Sequence, residues 1–229
     1  MLKAIIFDID GVITNLSFFH FIAWKSVFSF HDIVLNNDEW ENYRGLPRLA
    51  TAKKIVEHHH KSMSDDKILS IANKKNDLFV HLIKYGLTPK DVMNGIKQLI
   101  DDAITRGLQL IAISSSANAV LEMKCLGLFD KFTYVSSYST KRTSNFDKGQ
   151  QSPLLQSLKK LNINPSECIG LEDDVEGIIE YKSANVFAVA IANYHESIKT
   201  EADYWVELPE QIVLEEIIFN YYKKDTSND

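Results

Sequence analysis

Two carboxylates, Asp8 and Asp10, stand one residue apart at the end of the apolar run in "FDIDGVIT". If that run is a strand, alternation sends Asp8 and Asp10 the same way and Ile9 the other. Both acids then crowd one small volume. A bound cation, a shared proton or exposure in a turn would each make the pair tolerable. Further along, "IAISSS" places Ser114, Ser115 and Ser116 at the end of a second apolar run. Lys148 follows, and "GLEDD" ends a third run with Glu172, Asp173 and Asp174. A site holding Asp8, Asp10, Glu172 or Asp173 repels itself when empty, and oxygen-only ligands favour a hard cation, best matched by Mg²⁺. The Ser114 hydroxyl and Lys148 ammonium suit an anion bridged to that metal. Metal, lysine, hydroxyl and helix N-terminus together describe a phosphoryl-group site, with a carboxylate as nucleophile.

Taken singly, each feature has a plainer explanation. Asp8 and Asp10 can be turn carboxylates, the serines can cap a helix, Glu172 to Asp174 can answer a helix dipole, and Lys148 can be a solvated lysine. Their order along the chain is what favours reading them together.

The elements that must position these residues follow from the apolar pattern. Residues 3–7 predict a fully buried strand, with Gly11 freeing the turn after it. From Asn15 to about Tyr85 apolar residues recur at helical spacings with no convincing strand. "VMNGIKQLIDDAITRG" predicts a helix closed by Gly107, and "LQLIAI" a strand running into Ser and Asn that can cap the next helix. Strand and helix then alternate through "FTYVSS", "SPLLQSLKKLN", "ECIGLED", "VEGIIEYKSA" and "VFAVAIA". That alternation predicts an α/β fold: a doubly wound parallel-sheet, Rossmann-like core with an inserted helical cap domain. The expected core is 1–15 with 88–222, the cap 16–87, and 223–229 a frayed polar tail. Ligands of such sheets gather beyond the carboxyl ends of the strands, where the acids and serines fall.

Composition narrows the class further. A chain of 229 residues, 45% hydrophobic and 24% charged, can bury a core of one large domain or a medium one carrying a smaller one. The formal charge of −6 argues against nucleic acid as a partner. No stretch approaches a bilayer span or a signal-peptide core, so no membrane partner is expected and the reading is cytoplasmic. Two cysteines without a CxxC spacing fit a reducing compartment.

"FDIDGVIT", "IAISSS", Lys148 and "GLEDD" resemble the four ordered motifs of the haloacid dehalogenase superfamily. The resemblance implies Asp8 as nucleophile, Asp10 as general acid/base, and Ser114 and Lys148 as phosphoryl binders. It implies Mg²⁺ held by Asp8, Glu172, Asp173 and the Asp10 backbone carbonyl. Closer similarity to sugar-phosphate mutases of that family lies in "HFIAWK", "RGLPR", "KKND" and "PSECIGLED". It implies interconversion of β-glucose 1-phosphate and glucose 6-phosphate through an aspartyl-phosphate enzyme and a 1,6-bisphosphate. His20, Arg48, Lys75 and Asn76 become substrate-facing cap residues, with Trp24, Gly45, Thr51, Ser116 and Asn118 at further substrate positions. The partner implied is a small phosphosugar, and a monomer is expected. Alternatives are a phosphatase of the same fold and a non-catalytic phosphosugar-binding protein.

The chain departs from that pattern at Ala117, where the mutases carry a lysine, and at Asn15 and Leu16, where an Asp-Thr pair is usual. Lys141 or Arg142 can stand in for the missing cation. Alone, His20 on an aromatic-rich helix would be structural and Arg48 a surface residue. His58 to His60 point around a helix axis instead of converging, so a solvated face is expected there.

Overall fold

The computed structural model describes residues 1–137, 152–193 and 196–225. Contacts divide the chain into two units, Met1–Asn15 with Thr88–Asp229, and Leu16–Leu87. The first strand, β1 (Ala4–Phe7), is buried at all four positions.

The inserted unit holds α1 (Ser17–Ser29), α2 (Asn37–Trp40), α3 (Arg48–His58) and α4 (Asp65–Gly86), with no strand among its residues. Asn36 caps α2 by accepting from the Glu39 N–H at 2.9 Å, and Ser64 caps α4 by accepting from Lys67. Asp65 and Asp66 then place negative charge in the first turn of α4, where the helix dipole favours it. Trp24 and Phe28 of α1, Ile55 and Val56 of α3, and Ile68 and Ile71 of α4 form a core of their own.

The expected solvated histidine face holds for exposed His58 and His60, whereas His59 is half-buried, and both His58 and His59 turn toward Glu39 and Tyr43. Tyr43, nearly fully buried, donates its hydroxyl proton to Glu39 Oε1 at 2.8 Å, while His58 Nδ1 lies 2.6 Å from that hydroxyl. His59 Nε2 meets the same Glu39 oxygen at 2.7 Å. Burial, followed by Glu39, raises the Tyr43 phenol far above its usual range. The histidines fasten the end of α3 to α2 and the residues just after it.

The α/β unit continues with α5 (Ile96–Thr105), β2 (Gln109–Ser114), α6 (Ala119–Cys125), β3 (Tyr134–Ser137), α7 (Pro153–Leu161) and β4 (Cys168–Glu172). It closes with α8 (Val175–Ser183), β5 (Phe187–Ile191), α9 (Glu196–Glu201), β6 (Tyr204–Val206) and α10 (Leu214–Asp225). The sheet order is β3-β2-β1-β4-β5-β6, every pair parallel. Helices α7, α8 and α9 cover the face bearing Ala4, Ile6, Ile111 and Ala188. On the opposite face Tyr221 of α10 packs edge-on against Phe187, and α5 contacts both α10 and β2. The core is therefore doubly wound, and its strand order reverses at β1, between β2 and β4.

Two boundaries differ from expectation. Helix α5 starts at Ile96 and not at Val92, because Val92 is engaged in a bridge to Thr14. Gly95 then turns the chain at φ +80°, with the Glu210 backbone so near that a Cβ would approach it to 2.6 Å. Helix α10 runs to Asp225, so the polar tail expected from 223 begins as helix, while 226–229 lie outside the described residues.

Candidate active site

Register brings the ends of β1 and β4 together. Phe7 pairs with Leu171, and the next residue, Asp8, donates its N–H to the Leu171 carbonyl at 3.1 Å. That sets Asp8 level with Glu172, the last residue of β4. Carboxylate oxygens of Asp8, Glu172 and Asp173 lie within 4.8 Å of one another, with Asp8 and Glu172 buried and Asp173 half-buried. Glu172 Oε2 accepts from the Asp173 N–H at 2.8 Å, which locks its carboxylate against the turn. Asp174 does something else: its Oδ1 accepts from Gly177 N–H at 2.7 Å and caps α8.

Asp10 lies in the turn that follows β1. β1 stops at Phe7 and the chain coils at once, with Ile13 and Thr14 both donating to the Ile9 carbonyl and Gly11 donating to Thr14 at 2.7 Å. The Asp10 carboxylate is not among the three that converge. Gly11 has φ +102°, and a Cβ on it would fall 1.9 Å from Asp173 Oδ2. The glycine thus does two jobs, turning the chain and leaving room for the Asp173 carboxyl.

Ser114 ends β2 and is buried; its Oγ accepts from the Ser116 N–H at 3.1 Å. Ser116 Oγ accepts from Asn118 N–H at 3.1 Å and donates to Glu122 Oε1 at 2.6 Å. Asn118 makes no side-chain cap of α6, and its own backbone N–H is the one the Ser116 hydroxyl accepts. Ala117 is exposed. Lys148, Lys141 and Arg142 lie outside the described residues.

In the inserted unit, Lys75 is 3% exposed, its ammonium 4.6 Å from the centre of the Phe79 ring and 5.3 Å from that of Trp24. His20 stacks on Phe79 at 4.1 Å, and its Nδ1 meets Lys75 Nζ. An ammonium only donates, so Nδ1 is the acceptor and the ring proton sits on Nε2. Burial first, then Lys75, holds the His20 pKa well below 6.5. Arg48 is exposed in the first turn of α3, Gly45 turns at φ +73°, and Asn76 is half-buried on α4. Thr51 is buried, its hydroxyl directed at the Leu46 and Pro47 carbonyls, so it anchors the loop that carries Gly45.

A family model for haloacid dehalogenase-like hydrolases matches residues 2–185. The chain belongs to the haloacid dehalogenase-like hydrolase family. This family member is 30% identical to the β-phosphoglucomutase of Bacillus subtilis, over 83% of each chain. A crystal structure of β-phosphoglucomutase from Clostridium difficile superposes with a TM-score of 0.84 at 31% identity, covering 99% of this chain and all of that one. Validoxylamine A 7'-phosphate phosphatase of Streptomyces hygroscopicus is 22% identical over 86% of this chain and 89% of its own.

The donor set of this haloacid dehalogenase-like enzyme fits Mg²⁺, since three carboxylates converge, two of them buried, with oxygen as the sole ligand type. Both cysteines are free thiols, and burial raises each above its ordinary value, Cys168 to about 12, which disfavours the thiolate a nucleophile needs. Among the described residues no helix is long and apolar enough to cross a membrane. The residue that sequence reasoning missed is Glu122. In "AVLEMKC" it reads as a helix-surface acid, and only the fold reveals that it is fully buried against Ser116.

Proposed function

We propose that the protein is a Mg²⁺-dependent phosphosugar mutase that interconverts β-glucose 1-phosphate and glucose 6-phosphate through a phosphorylated Asp8. The observation that carries the reading is the convergence of Asp8, Glu172 and Asp173 at the reversal point of the sheet. Likeness to two β-phosphoglucomutases supports the substrate class. In the first half-reaction an Asp8 oxygen attacks phosphorus as the bond to the sugar oxygen breaks, and Asp10 gives that oxygen a proton. In the second, a sugar hydroxyl attacks the aspartyl phosphate, loses its proton to Asp10 and frees Asp8. Ser114 and Lys148 bind the phosphoryl oxygens. Asp8, Glu172, Asp173 and the Asp10 carbonyl would hold the metal, which when bound would supply positive charge to the transferring group. Arg48, His20, Lys75 and Asn76 are assigned to the sugar and to the phosphate that is not transferred, with Trp24, Gly45, Ser116 and Asn118 in supporting positions. The protein acts alone in the cytoplasm in this reading.

Hydrolysis is the second reading, favoured by likeness to validoxylamine A 7'-phosphate phosphatase and by exposed Ala117, which offers no cation. One experiment separates them: glucose 6-phosphate formation and phosphate release are followed together from β-glucose 1-phosphate with the bisphosphate and Mg²⁺ present. The mutase forms glucose 6-phosphate without net phosphate release. Asp8→Asn abolishes both reactions. Arg48→Ala slows the mutase about 10- to 150-fold, the equivalent of one charge-assisted hydrogen bond of about 1.5–3 kcal/mol. Phosphate release as the main product would replace the mutase by the phosphatase.

A further inference from the structure

Glu122 is fully buried, and burying a carboxylate at this position costs free energy that a leucine would not. The burial follows from a chain of hydrogen bonds reaching the phosphoryl site. Ser116 Oγ donates its single proton to Glu122 Oε1 at 2.6 Å, a distance typical of a hydroxyl on an ionised acid. Ser116 Oγ also accepts the Asn118 N–H, which fixes the bend into α6. The Ser116 N–H, held by this arrangement, points at Ser114 Oγ. With that lone pair engaged, the Ser114 proton is directed away from its own loop. Among the described residues nothing accepts it.

We infer that Glu122 is a positioning residue that aims the Ser114 hydroxyl at the phosphoryl group by fixing Ser116. The inference rests on the reading of Ser114 as a phosphoryl binder. It reassigns Ser116 from a substrate contact to a strut, since its proton is committed to Glu122. It also explains an acid in a short helix that packs against the sheet.

The test compares wild type with Glu122→Leu, Glu122→Gln, Ser116→Ala and Ser114→Ala, and with Glu122→Leu combined with Ser114→Ala. Thermal unfolding, inorganic phosphate affinity in Mg²⁺ and the steady-state constants on β-glucose 1-phosphate are measured for each. Glu122→Leu should lower kcat and phosphate affinity, kcat by about 10- to 100-fold, with KM moving less. Its unfolding temperature should hold or rise, because a buried charge has gone. Ser116→Ala should match it, and Glu122→Gln, whose amide oxygen still accepts, should recover most of the loss. In the Ser114→Ala background Glu122→Leu should change nothing further.

Unfolding temperature falling along with activity in Glu122→Leu would make the residue structural and overturn the inference. Full losses that multiply in the double variant would overturn it as well. A wild type that binds phosphate but transfers none defeats the mutase and phosphatase readings alone, and the cycle is then read in phosphate affinity. Phosphate affinity indifferent to Ser114→Ala defeats the inference together with the reading on which it rests.

Discussion

Gly11 faces two constraints at once, a left-handed φ of +102° and a carboxyl oxygen where a Cβ would sit. Gly11→Ala should therefore destabilise the fold by more than the roughly 1–2 kcal/mol of a left-handed alanine, because Asp173 must also move. A divalent-cation titration should show weaker binding, and unchanged Mg²⁺ affinity would mean that Asp173 is not a ligand. His20 offers a second residue-scale test. Unfolded His20 takes up a proton near its ordinary 6.5, while the folded ring, desolvated and beside Lys75, resists it. The unfolded state then binds more protons, so stability is complete above that value and is lost as pH falls below it. Melting temperatures measured from about pH 7.5 to 5 should fall less steeply in His20→Gln, which lacks this linkage. Coincident profiles would exclude His20 as the source. At this scale the sequence exposes Asp8, Ser114 and Glu172, which sit where apolar runs end. It hides Glu122 and the Glu39, Tyr43, His58 and His59 network, because these side chains meet partners from other turns and helices.

The turn between β4 and α8 separates two acids that look alike in "GLEDD". Asp174 caps the helix, whereas Asp173 joins the carboxylate cluster. Asp174→Ala should cost about 1 kcal/mol, the usual loss for an N-cap, with Mg²⁺ affinity nearly intact. Asp173→Ala should weaken Mg²⁺ binding and leave stability unchanged or higher, since three carboxylates within 4.8 Å repel. Urea unfolding beside metal titration of both variants checks the division; matching behaviour would contradict it. Strands β1, β2, β4 and β5 were readable as unbroken apolar runs, the mark of strands covered on both faces. β6 has only three residues, and its central Trp205 is exposed, so it carries no such mark. The start of α5 is not legible in the sequence, because the Thr14 segment that holds Val92 and the Glu210 backbone that crowds Gly95 are both remote along the chain. An alternating pattern shows where a strand can be, not where a distant segment cuts it short.

Across the whole molecule, the doubly wound parallel sheet implied by alternating strands and helices is realised, with helices on both faces and the acids at the point where strand order reverses. The same order has a consequence for how the chain comes into being. β1 is made first, yet its neighbours are β2, which starts at Gln109, and β4, which starts at Cys168. The helices of residues 16–87 need only one another for their core. Contacts close in sequence form fast, and long loops close late. During synthesis the inserted helices should therefore mature while Asp8 waits for Glu172. Pulse-labelled hydrogen exchange during refolding should show amides of α1 and α4 protected before those of β1; the reverse order would contradict this. The acids that would hold a cation meet only when the fold is nearly complete. Until then, a half-made chain has no assembled centre with which to attack the cell's phosphate esters.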